Sequence, residues 1–402
     1  MLDPNIIRAD FSILAGSQDR LIYLDSASTT HKPNSVIAKM VDFYSSYNAN
    51  VHRGIYRIAE KATKEFELAR DSIAEFIGAS NRESIVLTSG ATESINLVAY
   101  SLCLHTLKKG DEILLSEIEH HSNIVPWQII GSKMGISIKF LRSNSDGIID
   151  SDNVINNISE KTRVVSITHQ SNVTGVVNDI ASIARVLQNY DIRLFIDAAQ
   201  SFGKIDINVS EMECDYLAFS GHKAFGPTGI GSLYIKPDRI EELSPFMGGG
   251  EMIRSVTTGG STWNDSPWRY EAGTPSIAQA IAMPATISYI NDIGLSSISS
   301  YIDSLTKYAI DSLSKIDGIN MYTFPSTKSV ISFNIKGAHP FDLAKMLDQK
   351  GICIRAGHHC AQPLHKSLGI DKSNRISLHI YNTQSEIDIL VDSINKILEI
   401  IR

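Results

Sequence analysis

The stretch RAGHHCAQPLH, from Arg355 to His365, places one cysteine among basic side chains. Such a cluster could be a metal site, a fragment of packed core or the setting of a reactive thiol. Consecutive residues of an extended segment point to opposite sides, so His358, His359 and Cys360 cannot easily share one ion. Structural zinc also prefers spaced pairs such as CxxC, which the sequence lacks. A packed core and a reactive thiol at Cys360, whose thiolate fraction the neighbouring basic groups would raise, both stay open until the rest of the chain is considered.

A lysine ends one apolar run in FSGHKAFGPTGIGSLYIK. An ammonium at the mouth of a buried strand is costly to desolvate unless it has a use. Desolvation also lowers the pKa of a lysine, which favours Schiff-base chemistry with an aldehyde cofactor. Lys223 is the candidate, and the alternative is a surface lysine whose aliphatic stem lies along the protein.

Two further motifs suit the same kind of cofactor. In FIDAAQS, Asp197 ends an apolar strand and Gln200 follows. A buried carboxylate needs a cationic partner such as a pyridinium nitrogen, although Asp197 could equally cap the next helix. In TSGATES, Ala91 and Thr92 follow a glycine where a helix starts, and free amides there can bind a phosphate.

A Schiff-base lysine, a buried aspartate and a phosphate cradle are together what pyridoxal 5′-phosphate (PLP) requires. The ring must be anchored, its nitrogen kept protonated and its aldehyde captured. Each signal alone is weak, since any glycine at a helix start resembles a cradle. Their combination predicts PLP as the cofactor.

These residues follow short apolar strands that alternate with helical patterns. DEILLSEIEH, KTRVVSITHQ, IRLFIDAAQS and DYLAFSGHK are apolar runs that end in polar residues, and IASIARVLQNY has helical spacing. This alternation predicts an α/β fold with a mostly parallel sheet and ligands outside the strand ends.

The pattern changes after about residue 290. A long helical pattern, the strand SVISFNIKG, the helix HPFDLAKMLDQKG, a single strand ICIRAG and an amphipathic C-terminal helix follow. We predict a large PLP-binding α/β domain at 20–289, and a small α+β domain of 1–19 and 290–402 that carries the reactive cysteine.

Composition narrows the class of protein. The 402 residues are 43% hydrophobic and 20% charged, with a net charge of −7 and no basic block, so we expect no nucleic-acid partner. No apolar run approaches the ~20 residues of a membrane helix, and the N-terminus does not read as a secretory signal. The four cysteines form no disulfide framework, which favours a reducing compartment. We expect a cytoplasmic protein, and the initial Met1 agrees with a complete cytosolic chain.

Taken together, the motifs resemble the fold-type I PLP enzymes of the class V aminotransferase group. Within that group the sequence is most similar to the SUF-type (group II) cysteine desulfurases, close relatives of the selenocysteine lyases. The resemblance spans nearly the whole chain and implies a seven-stranded type of sheet in the large domain. The segments that carry it are YLDSASTTHKP, YNANVHRGIYRIAEKAT, TSGATESINLVA, EIEHHSNIVPWQ, SNVTG, IDAAQSFGKIDINV, FSGHKAFGPTGIGSLY, STWNDSPWRYEAGTPSIAQA, RAGHHCAQPL and RISLHIYNT.

The resemblance implies roles around the cofactor. Lys223 binds the PLP aldehyde, Asp197 pairs with the pyridine nitrogen, and Gln200 bonds the ring's phenolic oxygen. The ring of His120 stacks on the cofactor and moves protons, whereas His121 is structural. The residues implied for the rest of the cofactor are Ala91, Thr92, Ser220, His222 and Asn172, with Thr274 reaching the phosphate of the partner subunit in a homodimer.

The resemblance also implies a substrate site. Asn172 and Arg375 grip the substrate carboxylate, with Arg375 as a bidentate fork. Arg355 and His52 are further candidates, near the thiol and the entrance. One departure is His379 in RISLHIYNT, where we expect an apolar or aromatic residue and interpret the histidine as a local packing variation.

The implied activity is removal of sulfur from L-cysteine, with L-alanine and a persulfide on Cys360 as products. The sulfur would pass to an acceptor protein of the SUF system for iron–sulfur cluster assembly. The alternatives are a selenocysteine lyase acting on L-selenocysteine, another class V enzyme such as an aminotransferase, and a metal-binding protein. Only the desulfurase requires Cys360 absolutely.

Overall fold

The computed structural model describes residues 2–15 and 21–401, and helices alternate with strands along them, as the sequence pattern predicts. The strands are β1 (Ile22–Tyr23), β2 (Ile85–Thr88), β3 (Glu112–Ser116), β4 (Ser137–Leu141), β5 (Thr162–Thr168), β6 (Arg193–Asp197), β7 (Tyr216–Ser220), β8 (Gly231–Ile235), β9 (Ile253–Thr257), β10 (Gly260–Trp263), β11 (Ile319–Met321), β12 (Val330–Ile335), β13 (Ile352–Cys353), β14 (Arg355–Gly357) and β15 (Ser373–Ser377).

The helices pack against strands of the larger sheets and against one another. They are α1 (Pro4–Arg8), α2 (Ser12–Ala15), α3 (Asn34–Ser46), α4 (Arg57–Phe76), α5 (Ala91–Ser101), α6 (Val125–Met134), α7 (Ser151–Ile155), α8 (Ile180–Leu187), α9 (Val209–Met212), α10 (Ile277–Ile281), α11 (Met283–Ile293), α12 (Leu295–Leu313), α13 (Pro340–Asp348), α14 (Gln362–Ser367) and α15 (Gln384–Ile401). A π-helical turn at Leu102–Thr106 extends α5.

The larger sheet has seven strands in the order β2-β8-β7-β6-β5-β3-β4. Only β8 is antiparallel to its neighbours, so the predicted mostly parallel α/β sheet is confirmed. The register aligns Thr168 with Asp197, and Asp197 with Ala218. Because parallel strands end at one edge, the polar residues that follow β5, β6 and β7 lie side by side.

A second sheet has four antiparallel strands in the order β11-β12-β15-β14. In it Arg375 lies opposite Ser332 on one side and Arg355 on the other. The apolar face packs on α12, α13 and α15 through a core that includes Leu305 and Ile394. This sheet therefore carries two basic residues on neighbouring strands, on the same segment of chain as the reactive cysteine.

The segment ICIRAG is not the single strand that the sequence predicts. It forms β13 and β14, which belong to different sheets: β13 runs parallel to β1, whereas β14 is antiparallel to β15. The chain changes partner at Ile354. Apolar spacing cannot detect such a change, because both halves have the composition of a strand.

The N-terminal segment contacts the C-terminal part of the chain. Arg8 donates to the Tyr381 carbonyl at 2.9 Å and to Glu386 Oε1 at 2.7 Å, and β1 pairs with β13. The predicted domain boundary at residues 19 and 20 lies outside the described residues. Within residues 2–15 and 21–401, no helix is both long and apolar enough to cross a membrane.

Candidate active site

One cavity of about 250 Å³ opens at the carboxyl edge of the larger sheet, beside β14 and β15. It gathers twelve of the fourteen residues predicted for the site. These are Ala91, Thr92, His120, Asn172, Asp197, Gln200, Ser220, His222, Lys223, Arg355, Cys360 and Arg375. A larger groove of about 1390 Å³ along α1 and α12 contains none of them.

Lys223 and Asp197 both lie in the cavity wall. Burial lowers the pKa of Lys223, and the negative charge of Asp197 opposes that shift. Burial raises the pKa of Asp197, while the Ala199 N–H, which donates to its Oδ1 at 2.9 Å, opposes the rise. Among the described residues, Nζ of Lys223 has no hydrogen-bond partner. The amine therefore faces the cavity rather than the outer surface, and both groups lack the partner that a bound ligand would provide.

The predicted phosphate cradle lies where β2 leads into α5. The helix begins at Ala91, directly after the glycine, where the sequence predicts a helix start. Ala91 N–H donates to Ser220 Oγ at 2.9 Å, which joins the cradle to the end of β7. A Cβ on Gly90 would lie 3.1 Å from Ser220 Oγ, so glycine permits this close approach. The first-turn amides are thus directed at the cavity edge.

His120 is held as a neutral ring in the cavity. Its Nδ1 accepts from Ser122 N–H at 3.1 Å, so the remaining proton belongs on Nε2. Burial lowers the pKa of His120 to about 3, and the nearby Lys223 charge acts in the same direction. A neutral ring can stack on a cofactor and exchange a proton at Nε2.

Glu119 was not predicted, although it directly precedes His120. It is fully buried, accepting from Thr168 N–H at 2.8 Å and from Asn123 Nδ2 at 2.7 Å. Burial raises its pKa to about 8. Glu119 therefore connects the turn that carries His120 to β5. In the sequence it could have been noticed as the second acidic residue of EIEHH.

Arg375 is buried and oriented by three acceptors. Its Nη1 donates to the Asn172 carbonyl at 3.1 Å, and its Nη2 donates to Asp25 Oδ1 at 2.7 Å and Ser28 Oγ at 3.0 Å. Within the described chain its Nε is buried without a partner. The sequence analysis did not predict Asp25 and Ser28 as site residues. The feature that could have indicated them is the hydroxyl-rich loop LDSASTT. Arg375 retains a free donor for a carboxylate.

The thiol loop contacts the same wall. Asn172 Nδ2 donates to the His359 carbonyl at 2.7 Å, and Cys360 is exposed while also lining the cavity. Arg355 is about half exposed and lies 3.7 Å from Asp25. The cysteine is therefore reachable both from the cavity and from solvent.

Gln200 is engaged with the protein on both amide atoms. Its Nε2 donates to the Ala27 carbonyl at 2.8 Å, and Lys204 Nζ donates to its Oε1 at 3.5 Å. Lys204 is buried, which lowers its pKa to about 7, and sequence reasoning missed it. One hydrogen on Nε2 is left for the predicted bond to a ring oxygen.

His379, the departure noted in the sequence, is fully buried. Its ring centroid lies 4.4 Å from that of Phe225 and 5.5 Å from that of Tyr381. Its Nδ1 accepts from Ile380 N–H at 2.9 Å. His379 thus packs as one ring of an aromatic cluster.

Two predicted site residues lie outside the cavity. His52 Nε2 pairs with Glu67 Oε1 at 3.0 Å, while Thr274 is exposed. No group of three or more His, Cys, Asp or Glu side chains among residues 2–15 and 21–401 has the arrangement of a metal site. His359 and His365 both bond Ser373 Oγ instead, at 3.0 and 3.1 Å.

The donor set suits PLP on structural grounds. A buried aspartate with one backbone bond needs a cation, and an unpaired amine of lowered pKa suits an aldehyde. The start of α5 next to Ser220 suits a phosphate. PLP bound in the cavity would give Asp197, Lys223 and the start of α5 the partners that they lack.

Comparisons with known proteins agree with this geometry. The family model for aminotransferase class-V matches residues 22–390. A cysteine desulfurase of Haloferax volcanii is 42% identical, with 99% of this chain and 98% of that protein covered. A probable cysteine desulfurase of Halalkalibacterium halodurans is 45% identical, with 94% and 93% covered.

The fold is also that of solved desulfurases. The apo structure of the cysteine desulfurase from Thermococcus onnurineus is 36% identical, with a TM-score of 0.94 and 99% of both chains covered. A cysteine desulfurase from Escherichia coli in an S-sulfonic acid form is also 36% identical, with a TM-score of 0.93 over the full length of both chains. Together with the family match, this similarity shows that the chain belongs to the aminotransferase class-V family and, within it, to the cysteine desulfurases.

Proposed function

We propose that the protein is a PLP-dependent cysteine desulfurase that converts L-cysteine to L-alanine and retains the sulfur as a persulfide on Cys360. The observation that carries the proposal is the convergence of Cys360, Lys223, Asp197 and Arg375 on one cavity of about 250 Å³. An amine, an acid, a carboxylate receptor and a thiol are the groups that this reaction needs.

The protein's first task is to hold cofactor and substrate. Lys223 would bind the cofactor aldehyde, Asp197 its ring nitrogen, and the start of α5 its phosphate. Arg375, oriented by Asp25 and Ser28 at the cavity wall, would bind the substrate carboxylate. Bound PLP supplies an electron sink conjugated to the substrate Cα.

The reaction then needs proton and sulfur transfer. Lys223, whose pKa is lowered by burial, takes the Cα proton. The Cys360 thiolate attacks the substrate sulfur, so an S–S bond forms and the Cβ–S bond breaks. The bonding electrons pass to Cβ, which is protonated to give alanine. The sum is cysteine plus enzyme thiol giving alanine plus enzyme persulfide, without an external oxidant.

Mass spectrometry of the loaded enzyme after L-cysteine treatment tests the proposal. We expect a gain of about 32 Da, one sulfur atom, on the peptide that contains Cys360. Cys360→Ala should abolish alanine formation from L-cysteine, whereas Cys353→Ser, at a half-buried thiol outside the cavity, should not. Alanine formation by Cys360→Ala at the original rate would overturn the proposal. Cleavage of L-selenocysteine alone would favour a lyase.

The finer assignments extend this proposal. We include a sulfur acceptor of the SUF type, a homodimer in which Thr274 reaches the partner's phosphate site, a cytoplasmic location, and a small domain of 1–19 and 290–402. Support comes from the exposure of Thr274 and from the four cysteines, which are all free thiols. Light scattering of the purified protein tests the dimer.

A further inference from the structure

The loop that carries Cys360 has an unusual backbone. Between β14 and α14, both His359 (φ 51°) and Cys360 (φ 56°) adopt left-handed conformations. Side chains other than glycine rarely adopt this conformation, and two in succession are rarer. Such a backbone persists only where surrounding contacts hold it.

His121 contacts the thiol-bearing residue and the start of the helix that follows it. Its N–H donates to the Cys360 carbonyl at 2.7 Å, and its ring Nε2 accepts from Gln362 N–H at 3.1 Å. Asn172 adds the bond to the His359 carbonyl. The loop is thus bound through its backbone atoms at positions 359, 360 and 362, without use of the cysteine side chain.

The two adjacent histidines have different surroundings. His120 lines the cavity, whereas His121 does not and turns its ring toward the loop. Burial, and next the neighbouring His358, lower the pKa of His121, which agrees with a ring nitrogen that accepts a hydrogen bond. The acceptor role requires the neutral ring, because a protonated Nε2 cannot accept.

We propose that His121 is a positioning residue that holds the Cys360 loop in its left-handed conformation and thereby keeps the thiol directed at the cavity. The inference rests on the proposed role of Cys360 and names the residue that serves it. Both bonds from His121 go to backbone atoms of the loop and leave the Cys360 thiol free. Its effect passes through the backbone of Cys360 and Gln362.

Three variants separate this role from general stabilisation. His121→Leu keeps an apolar volume but removes the acceptor, and His121→Gln restores an acceptor as an amide oxygen. Gln362→Pro removes the donor from the other side, at the first position of α14, where proline is tolerated. All are made in the full-length, PLP-loaded protein.

Hydrogen exchange of the peptide spanning 361–366 and the rate of persulfide formation on Cys360 are the two measurements. In His121→Leu we expect exchange at least ~10-fold faster and persulfide formation at least ~10-fold slower, with the cofactor absorbance unchanged. His121→Gln should recover most of both. Combining His121→Leu with Gln362→Pro should change the two rates no more than either single variant does, because both substitutions remove the same hydrogen bond.

The inference is overturned if His121→Leu shows the same exchange rate and the same rate of persulfide formation as the unsubstituted protein. It is also overturned if the losses of the two single variants add in the double variant. If His121→Leu is insoluble, Gln362→Pro decides alone: a loss supports the inference and unchanged rates overturn it. Cys360→Ala is run in parallel. If that variant still forms alanine from L-cysteine, the proposed function fails, while the exchange data still report on the loop.

Discussion

At the scale of single residues, neighbouring groups fix the orientation, the tautomer or the pKa of the polar side chains in the cavity. The Asp25 carboxylate and Ser28 hydroxyl fix Arg375, and Ser122 N–H fixes the tautomer of His120. Asp197 and Lys223 shift each other's pKa in opposition to their burial. Residue types alone suggest the chemistry, but these contacts decide protonation and direction.

Replacing Arg375 with lysine tests the carboxylate fork. Arg375→Lys keeps a charge but cannot bond both Asn172 and Asp25 while also presenting Nε. A lost charged hydrogen bond costs about 1.5–3 kcal/mol, so KM for L-cysteine should rise roughly 10- to 100-fold, with a smaller fall in kcat. Steady-state kinetics measures both.

The half-exposed Arg355 is the matched control for that variant. Arg355→Lys removes a group that lies 3.7 Å from Asp25 and should raise KM only a few-fold at most, by about what an exposed ion pair contributes. Equal KM values for Arg375→Lys and the original protein would contradict the assignment of Arg375. Circular dichroism checks that both variants fold.

At the scale of elements, the cavity depends on how strands end and how closely they approach. Asp197 ends β6 and Ser220 ends β7, and their strands are paired in register. The turn at Gly90 brings the start of α5 against Ser220. The phosphate cradle is therefore a contact between two strand–helix connections.

Adding a methyl group at Gly231, the first residue of β8, tests this contact. A Cβ there would overlap the Phe219 carbonyl and lie 2.5 Å from Gly90 Cα, so β8 and the Gly90 turn must move apart. We expect Gly231→Ala to weaken PLP binding at least ~10-fold and to destabilise the fold by about 1–3 kcal/mol. Fluorescence titration with PLP and thermal melting measure the two effects.

Gly248→Ala is the control, because a Cβ at Gly248 meets no atom within 4 Å. Its affinity for PLP and its melting temperature should match those of the original protein. If Gly231→Ala binds PLP as tightly as this control, the cradle does not depend on the close approach of β8 to Gly90.

At the scale of the whole molecule, many histidines are buried as neutral rings. Burial lowers the pKa of His169 to about 4 and that of His359 to about 2, and takes the pKa of His379 well below its usual range. In the unfolded chain each would titrate near its ordinary value of about 6.5. The folded protein therefore binds fewer protons than the unfolded chain once the pH falls below that value.

We therefore expect the free energy of unfolding to decrease as the pH falls below about 6.5. The stabilisation from these histidines is complete above pH ~6.5 and is lost as the pH falls toward the folded-state pKa values. At pH 5 the three groups take up about three protons on unfolding, and Glu119, with its pKa raised to about 8, offsets about one. The net slope is at least about 2.7 kcal/mol per pH unit.

Urea unfolding of the protein between pH 5 and pH 7.5 measures this slope. A free energy of unfolding that stays constant over that range would contradict the neutral, buried state of the three histidines. His169→Asn removes one contributor and should reduce the slope by about one proton, that is about 1.4 kcal/mol per pH unit.

Much of the fold and the cofactor side of the site could be predicted from sequence. Each strand that carries Asp197 or Ser220 is a short apolar run ending in polar residues, so local pattern placed them at one sheet edge. The prediction of a single strand for ICIRAG was wrong. Its two halves pair with different strands, and the local sequence does not contain the identity of those partners.

The sequence by itself determined the sheet type and marked Lys223, Asp197 and Cys360 as candidates, because each lies in its own short stretch of chain. Only the tertiary structure decided the different surroundings of His120 and His121, the bond from Arg375 to Asp25 and the backbone contacts of the Cys360 loop. Those contacts join segments up to about 350 residues apart. Spacing along a chain encodes local structure, whereas such contacts follow from the packing of two sheets that form from distant segments.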